Sequence, residues 1–279
     1  MTALTLLYVP GDRGDRIDKA FGAGPDVVIV DLEDAVTPDR KAVAREGAER
    51  ALRHRSASGA GSSACQVRVN AVGTSWSEDD LGMVRRLPAH VGVRVPKCEQ
   101  PREVVRIAEA VGDRALHLII ESARGVESAF ELASAHPSVG SIGLGEADLR
   151  ADLGVTDDAG LLWARSRVVV AAAAAGLAAP AMSVYTDVRD IDGLRASSLL
   201  GKALGFVGRT AIHPSQLPTI REVFSPTETE LIRAREVVAA AEAGAAEGRG
   251  AIALADGRFV DEAVVRQARR VIARGEGRS

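Results

Sequence analysis

The chain has 279 residues, 46% hydrophobic and 26% charged, a balance typical of soluble globular proteins rather than disordered or membrane-embedded ones. A formal net charge of −3 gives no broad basic face and argues against a nucleic-acid partner. The only cysteines, Cys65 and Cys98, stand far apart without a neighbouring His pair, which argues against a zinc cluster or disulfide framework and suits a reducing cytoplasm.

Met1 to Pro10 lacks the basic start, long apolar stretch and small-residue cleavage site of a secretory signal, so a cytoplasmic location is expected. Short apolar runs then recur, each followed by a turn signal and often by a segment of helical period. Strands are predicted at Thr5–Val9 and Val27–Leu32, a helix at Pro38–Arg55, a small polar flexible loop at Ser56–Ala64, and strands at Gln66–Asn70 and Val91–Val95. A helix at Pro101–Val111, a strand at Leu116–Glu121, a helix at Gly125–Ala135 and a strand at Ser141–Leu144 follow. Pro38 and Pro101 sit where a first helical turn accepts proline. The next elements are a helix at Gly160–Ala175, a strand at Ala179–Val184, a helix at Asp190–Leu204 and a strand at Phe206–Ile212. Val168 to Val184 is apolar, but Gly176 and Pro180 interrupt it and it is shorter than the roughly 20 residues a span requires. It reads as a helix end and a buried strand, so no membrane partner is expected.

About eight strands alternating with helices predict an α/β protein with a (β/α)₈ TIM barrel. Beyond the eighth strand come a helix started by Pro214, a long helix from Pro226 to about Glu247, a hairpin over Ala251–Val260 turning at Asp256-Gly257, and a helix at Glu262–Ala273. The expected division is a catalytic barrel over 1–224 and a C-terminal helical and hairpin extension over 225–279 that lies against a neighbouring protomer.

Barrels of this kind carry their chemistry at the C-terminal ends of the strands. That rule selects Asp31, Glu33 and Asp34, then Arg68, Asn70 and Gly73, Lys97, Glu121 and Arg124, Glu146 and Asp148, Tyr185 and Asp187, and His213. Carboxylates converging from several strands need a cation, and oxygen donors without His or Cys point to Mg²⁺ or Mn²⁺. Asp34, Asp187 and Glu146 read equally well as helix caps or salt-bridge partners. Glu121 does not, because a carboxylate ending the apolar run Leu116–Ile120 is costly to bury unpaired. His213, before Pro214, reads as structural, and Lys97 after Val95-Pro96 is a weak Schiff-base signal.

Ordered motifs cover almost the whole chain: V-P-G-D-R-G-D-R at Val9–Arg16, D-V-V-I-V-D-L-E-D-A-V at Asp26–Val36, V-R-V-N at Val67–Asn70, V-P-K at Val95–Lys97 and I-E-S-A-R-G at Ile120–Gly125. Gly143–Leu149, Y-T-D-V-R-D at Tyr185–Asp190 and A-I-H-P-S-Q at Ala211–Gln216 complete them. Through these the sequence resembles the citrate lyase β-subunit-like members of the HpcH/HpaI aldolase family, in the acyl-CoA lyase branch. The resemblance implies that Glu121 and Asp148 ligate Mg²⁺, that Arg68 binds the small acid, and that Glu33 and Asp34 hold metal-bound waters. Arg13, Arg16 and Lys19 are placed to meet CoA phosphates, although each alone reads equally as solvated surface charge. In related lyases an aspartate from a C-terminal V-D-E-P-like segment enters the neighbouring protomer's site. Here the segment is Val260-Asp261-Glu262-Ala263, with alanine in place of proline, and Gly145-Glu146-Ala147-Asp148 departs from the usual pattern of a glutamate directly before the aspartate.

The implied activity is Mg²⁺-dependent cleavage or formation of a 3-hydroxyacyl-CoA such as citramalyl-CoA or malyl-CoA, giving an acyl-CoA and a 2-oxo acid. Asp261 is the expected proton donor and a homotrimer the expected assembly. The alternatives are a class II 2-oxo acid aldolase, a citrate lyase β subunit acting on a carrier-protein thioester, and a non-catalytic barrel binding acyl-CoA or an organic acid.

Overall fold

The computed structural model describes residues 3–58, 63–246, 248–249, 251–254 and 257–276. The described chain divides into two compact units, Ala3–Arg221 and a second built from Glu222 onward.

The first unit is a TIM barrel. Its strands are β1 (Thr5–Pro10), β2 (Val27–Asp31), β3 (Ala64–Arg68), β4 (Gly92–Val95), β5 (Leu116–Ile120), β6 (Val139–Leu144), β7 (Ala181–Met182) and β8 (Gly208–Ala211). All pairings are parallel, in the order β6-β5-β4-β3-β2-β1-β8-β7. The helices between them are α1 (Gly14–Gly22), α2 (Lys41–Ser58), α3 (Ser77–Arg86), α4 (Pro101–Val111), α5 (Ala123–Glu127), α6 (Ala129–Ala133), α7 (Glu146–Leu153), α8 (Leu162–Ala174) and α9 (Ile191–Leu204), with α10 (Leu217–Phe224) after β8.

The strands are apolar because both faces are covered, as in any parallel sheet wrapped by helices. Val28, Ile29 and Val30 of β2 are wholly buried. The helices begin where caps are available. At α4, Pro101 follows Gln100, whose backbone N–H donates to Glu103 Oε2 at 3.2 Å. At α9, Asp190 accepts from the Gly193 N–H at 2.8 Å, and the helix ends at Gly205, whose φ of 102° suits only a residue without a Cβ.

Several boundaries differ from those expected. Strand β3 leaves the ladder after Arg68, two residues early, because the Asn70 N–H is taken by the Asp80 carboxylate at 2.9 Å. Strand β7 shrinks to two residues. The expected helix over 125–135 is two short helices that meet at Ser128. The apolar stretch from Val168 divides into the end of α8 and the short β7, and no helix among the described residues is long and apolar enough to cross a membrane. Of the loop expected at 56–64, residues 59–62 lie outside the described residues; α2 runs on to Ser58 and β3 starts at Ala64.

The barrel interior carries polar groups. Arg94 Nε donates to Gln66 Oε1 at 2.9 Å, and His117 Nδ1 lies 2.9 Å from Ser141 Oγ. Burial, reinforced by the positive charge of Arg94, pushes the His117 imidazole down to about 3. The unfolded chain therefore binds a proton near pH 6.5 that the folded chain refuses. The stability this contributes is complete above about 6.5 and falls by about 1.4 kcal/mol per unit as pH drops towards 3. Urea unfolding between pH 7 and 4 should show a shallower decline for His117→Gln than for wild type; equal slopes would remove His117 from the acid response.

The second unit pairs α11 (Glu228–Ala246) with α12 (Glu262–Glu276) and carries a hairpin of β9 (Ile252–Ala253) and β10 (Phe259–Val260). Ala234, Val237, Val260, Val265 and Ala268 form its core. The hairpin was expected to turn at Asp256-Gly257; Asp256 lies outside the described residues, while the flanking strands pair antiparallel.

Candidate active site

The C-terminal ends of β2 to β6 bring Asp31, Glu33, Asp34, Arg68, Lys97, Glu121 and Asp148 together. Arg68 is the hub. Its Nε and Nη2 each donate at 2.7 Å to the two oxygens of Asp31, its direct cross-strand neighbour. Nη1 donates to Asp34 Oδ2 at 3.3 Å, and the guanidinium stacks over the Tyr8 ring at 4.8 Å. Burial opposes the charge of Arg68, but the hydrogen bonds and charge of Asp31 outweigh it and keep the group firmly ionised.

Asp31 also accepts from the backbone N–H of Glu33 at 2.9 Å and of Ala35 at 3.2 Å, which curls the acidic loop over the strand end. Lys41 Nζ holds the same loop by donating to the carbonyls of Leu32 at 2.8 Å and Glu33 at 2.7 Å. Asn70 Nδ2 donates to the Leu32 carbonyl and to buried Asp80, which in turn accepts from Arg45 at 2.9 Å. Asp31, which the strand-end rule selects without giving it a role, and Asp80, which lies on α3 and escapes that rule, thus position the site.

Lys97 Nζ lies 2.5 Å from Glu33 Oε1, 3.7 Å from Asp34 Oδ1 and 3.6 Å from Asp148 Oδ2. Burial works against its charge, but the hydrogen bond and charge of Glu33 hold the ammonium ionised well above the ordinary lysine range. A Schiff base needs a neutral amine, so this geometry does not supply one. Glu33 Oε2 is buried and 2.9 Å from Arg68 Nη1, yet no N–H is aimed at it and it accepts no hydrogen bond. Burial, outweighing Arg68 and Lys97, raises the Glu33 carboxyl.

Glu121 is buried at the end of β5 and hydrogen-bonded to Asp148. Burial first, then that hydrogen bond and the charge of Glu33, pushes its carboxyl up to about 9, while the bond from Glu121 and the nearby Lys97 hold Asp148 below its usual range. Gly145 makes room for this pair, because a Cβ there would stand 2.5 Å from Glu121 Cγ. Two carboxyl groups sharing one proton, with an unsatisfied buried Glu33 oxygen nearby, are a hard oxygen donor set short of positive charge, and the residues fit Mg²⁺. Mg²⁺ characteristically takes one or two protein carboxylates and leaves its other positions to water or substrate, and Glu121 and Asp148 are two such groups.

The remaining candidates lie elsewhere. Glu146 forms a buried two-pronged pair with Arg165 at 2.8 and 2.7 Å and is structural. Asp187 accepts from the Arg189 N–H, and His213 Nδ1 from the Ser215 N–H, as local caps. Arg124 is exposed. Arg13 at the start of α1, Arg16 within it and Lys19 in its last turn are exposed, with Asp15 3.7 Å from Arg13 and 3.9 Å from Lys19. Asp261, in the second unit, caps α12 by accepting from the Val264 N–H at 3.0 Å.

Because one edge of the Arg68 fork is committed to Asp31, Arg68→Lys should lose the two-pronged grip and leave Asp31 buried and under-satisfied. We expect kcat/KM for the acid to fall by roughly 10²-fold or more. Near-wild-type steady-state kinetics in the lysine variant would remove Arg68 as the anchor.

A carboxylate-rich rim with a fixed arginine, on the catalytic end of a parallel eight-stranded barrel, is the layout of a barrel enzyme. Residues 4–214 match the model of the HpcH/HpaI aldolase/citrate lyase family. A citrate lyase subunit beta-like protein of Deinococcus radiodurans is 39% identical over 96% of this chain and 95% of its own. A (3S)-malyl-CoA thioesterase of Cereibacter sphaeroides is 34% identical, covering 98% and 94%. An L-malyl-CoA/beta-methylmalyl-CoA lyase of Rhodobacter capsulatus is 32% identical, covering 97% and 93%. The crystal structure of CitE from Mycobacterium tuberculosis, in complex with magnesium, acetoacetate and coenzyme A, superposes with a TM-score of 0.82 at 31% identity over 98% of both chains. The chain belongs to the HpcH/HpaI aldolase/citrate lyase family, and it is a carbon–carbon lyase of the citrate lyase β-subunit-like kind.

Proposed function

We propose that the enzyme cleaves or forms the bond between the α-carbon of an acyl-CoA thioester and the carbonyl carbon of a 2-oxo acid, with citramalyl-CoA, malyl-CoA or a related 3-hydroxyacyl-CoA as the cleaved substrate. The observation that carries this reading is the Glu121–Asp148 pair beside Arg68, a built site for one divalent ion and one small acid. When bound at Glu121 and Asp148, Mg²⁺ supplies Lewis acidity to the oxygens of that acid. Arg68 sets fixed positive charge against the same oxygens, and Asp31 keeps it aimed.

In the cleavage direction the 3-hydroxyl gives up its proton to a rim carboxylate, a role for Asp34, whose side chain is 58% exposed and is held in place by Arg68 and Lys97. The carbon–carbon bond breaks with its electron pair moving to the thioester α-carbon, and Asp261 of a neighbouring protomer returns a proton there. A site shared in this way requires an oligomer, for which the family resemblance favours a homotrimer. Arg13, Arg16 and Lys19 meet the CoA phosphates, and Glu33 orders water beside the metal position.

The test is a panel of 3-hydroxyacyl-CoA esters with Mg²⁺, Mn²⁺ or EDTA, following release of acyl-CoA and 2-oxo acid separately from free CoA. The thioesterase relative favours a second reading, hydrolysis of the same esters. Lyase action yields the 2-oxo acid and an intact shorter acyl-CoA, whereas hydrolysis yields free CoA and the hydroxy acid. Free CoA with no 2-oxo acid from any ester would overturn the lyase reading for these substrates.

A further inference from the structure

Lys97 is the one residue other than glycine with a positive φ, 54°, among the described residues. A side chain in that region is strained, and such strain persists where surrounding contacts hold it. Here they are ionic: the ammonium faces Glu33, Asp34 and Asp148, carboxylates contributed by the loop after β2 and by α7 after β6. Arg68 pairs with Asp31, Glu33 and Asp34 and its charge also acts on Asp148, but among the described residues Lys97 is the cation that forms ion pairs with both the acidic loop and Asp148. The Lys97 side chain is 42% exposed, so it is free to give way.

Resting on the reading of Glu121 and Asp148 as metal ligands, we propose that Lys97 is a built-in counter-cation: it neutralises Asp148 in the metal-free enzyme and competes with the divalent ion for it. The left-handed backbone aims the side chain across the rim so that one ammonium ties the acidic loop to Asp148. An ion entering beside Asp148 meets a positive charge a few ångströms away and must displace it or bind against its repulsion. Lys97 is then a positioning residue that lowers metal affinity, keeping the ion exchangeable and the empty site from flying apart.

The sign of this effect separates it from a merely structural role. A scaffold residue weakens metal binding when removed, whereas removing a competitor strengthens it. The experiment titrates wild type, Lys97→Met and Lys97→Gln with MgCl₂ at constant ionic strength and reads the midpoint of thermal unfolding, with Glu121→Gln alongside. Both Lys97 variants should melt earlier than wild type without metal and reach half of their Mg²⁺-induced shift at roughly tenfold lower Mg²⁺ or below, since a unit charge about 4 Å from a divalent ion is worth about one to two powers of ten even when screened as in bulk water. Glutamine keeps a hydrogen-bond donor for Glu33 without the charge and supplies the titration if methionine does not fold. Half-saturation equal to or above that of wild type, with the response lost in Glu121→Gln, removes the counter-cation and leaves the metal site standing. A wild type that does not respond to Mg²⁺, or a Glu121→Gln that responds like wild type, removes the metal reading and this inference with it.

Discussion

Glu121→Ala and Asp148→Ala should each abolish turnover, with losses on the order of 10³-fold or more, because each deletes one of only two side chains proposed to hold the ion directly. The two variants should differ in stability. Glu121 is buried and keeps its proton, so alanine leaves a small cavity and frees Asp148 to pair with Lys97 alone. Asp148 is half exposed, so its loss removes charge with little packing. Chelation with EDTA should mimic both on activity and neither on the melting of the metal-free protein. Full activity in metal-free buffer, or an alanine variant within tenfold of wild type, would overturn the assignment of these carboxylates.

The second large effect is expected at Asp261. Asp261→Asn should preserve Mg²⁺ and 2-oxo acid binding, which depend on the barrel rim, while slowing acyl-CoA turnover by roughly 10²–10⁴-fold, the usual contribution of a positioned acid or base. Asparagine still accepts from the Val264 N–H, so the start of α12 is kept. Mixing this variant with Glu121→Ala tests the shared site. Each parent is inactive for a different reason, and after subunit exchange some sites combine an intact Glu121 rim with an intact Asp261. Activity should then return. If native mass spectrometry shows exchange and the mixture stays inactive, Asp261 does not act in trans.

How far the sequence reveals this design depends on the range of the interaction. Helix α4 is legible residue for residue because Pro101, Gln100 and Glu103 mark its start locally. Helices α1, α3 and α7 escaped notice, although α3 has three acidic residues in its first turn and two arginines in its last, the pattern that suits a helix dipole. The short β7 could not be read from its apolar run, because the run does not say how many of its residues find a partner strand.

At the rim, the strand-end rule collects Glu33, Arg68, Lys97, Glu121 and Asp148 without knowing their distances. It cannot assign partners. That Asp31 rather than a ligand takes one edge of the Arg68 fork follows from the register of β2 on β3, and that Glu146 turns away to Arg165 follows from the packing of α8. The sequence departure at Gly145-Glu146 already weakened Glu146. What it could not show is that Gly145 is needed by Glu121.

The parallel ladder runs without a break from β6 through β1 to β7, and the two ends of that order meet across a seam where the Glu146 N–H donates to Ser183 Oγ at 3.2 Å. A staved cask with one unhooped joint opens there first. The amides of β7, which pairs with β8 on one side, are therefore expected to exchange with solvent well ahead of those in β1 and β2, each of which has a paired strand on both sides. Glu121, after β5, and Asp148, on α7 after β6, stand on the same side of that joint, where the two strands are paired and the Gly145 N–H donates to the Ile120 carbonyl at 2.9 Å. Breathing of the seam is therefore expected to carry both carboxyl groups together and leave the gap between them unchanged.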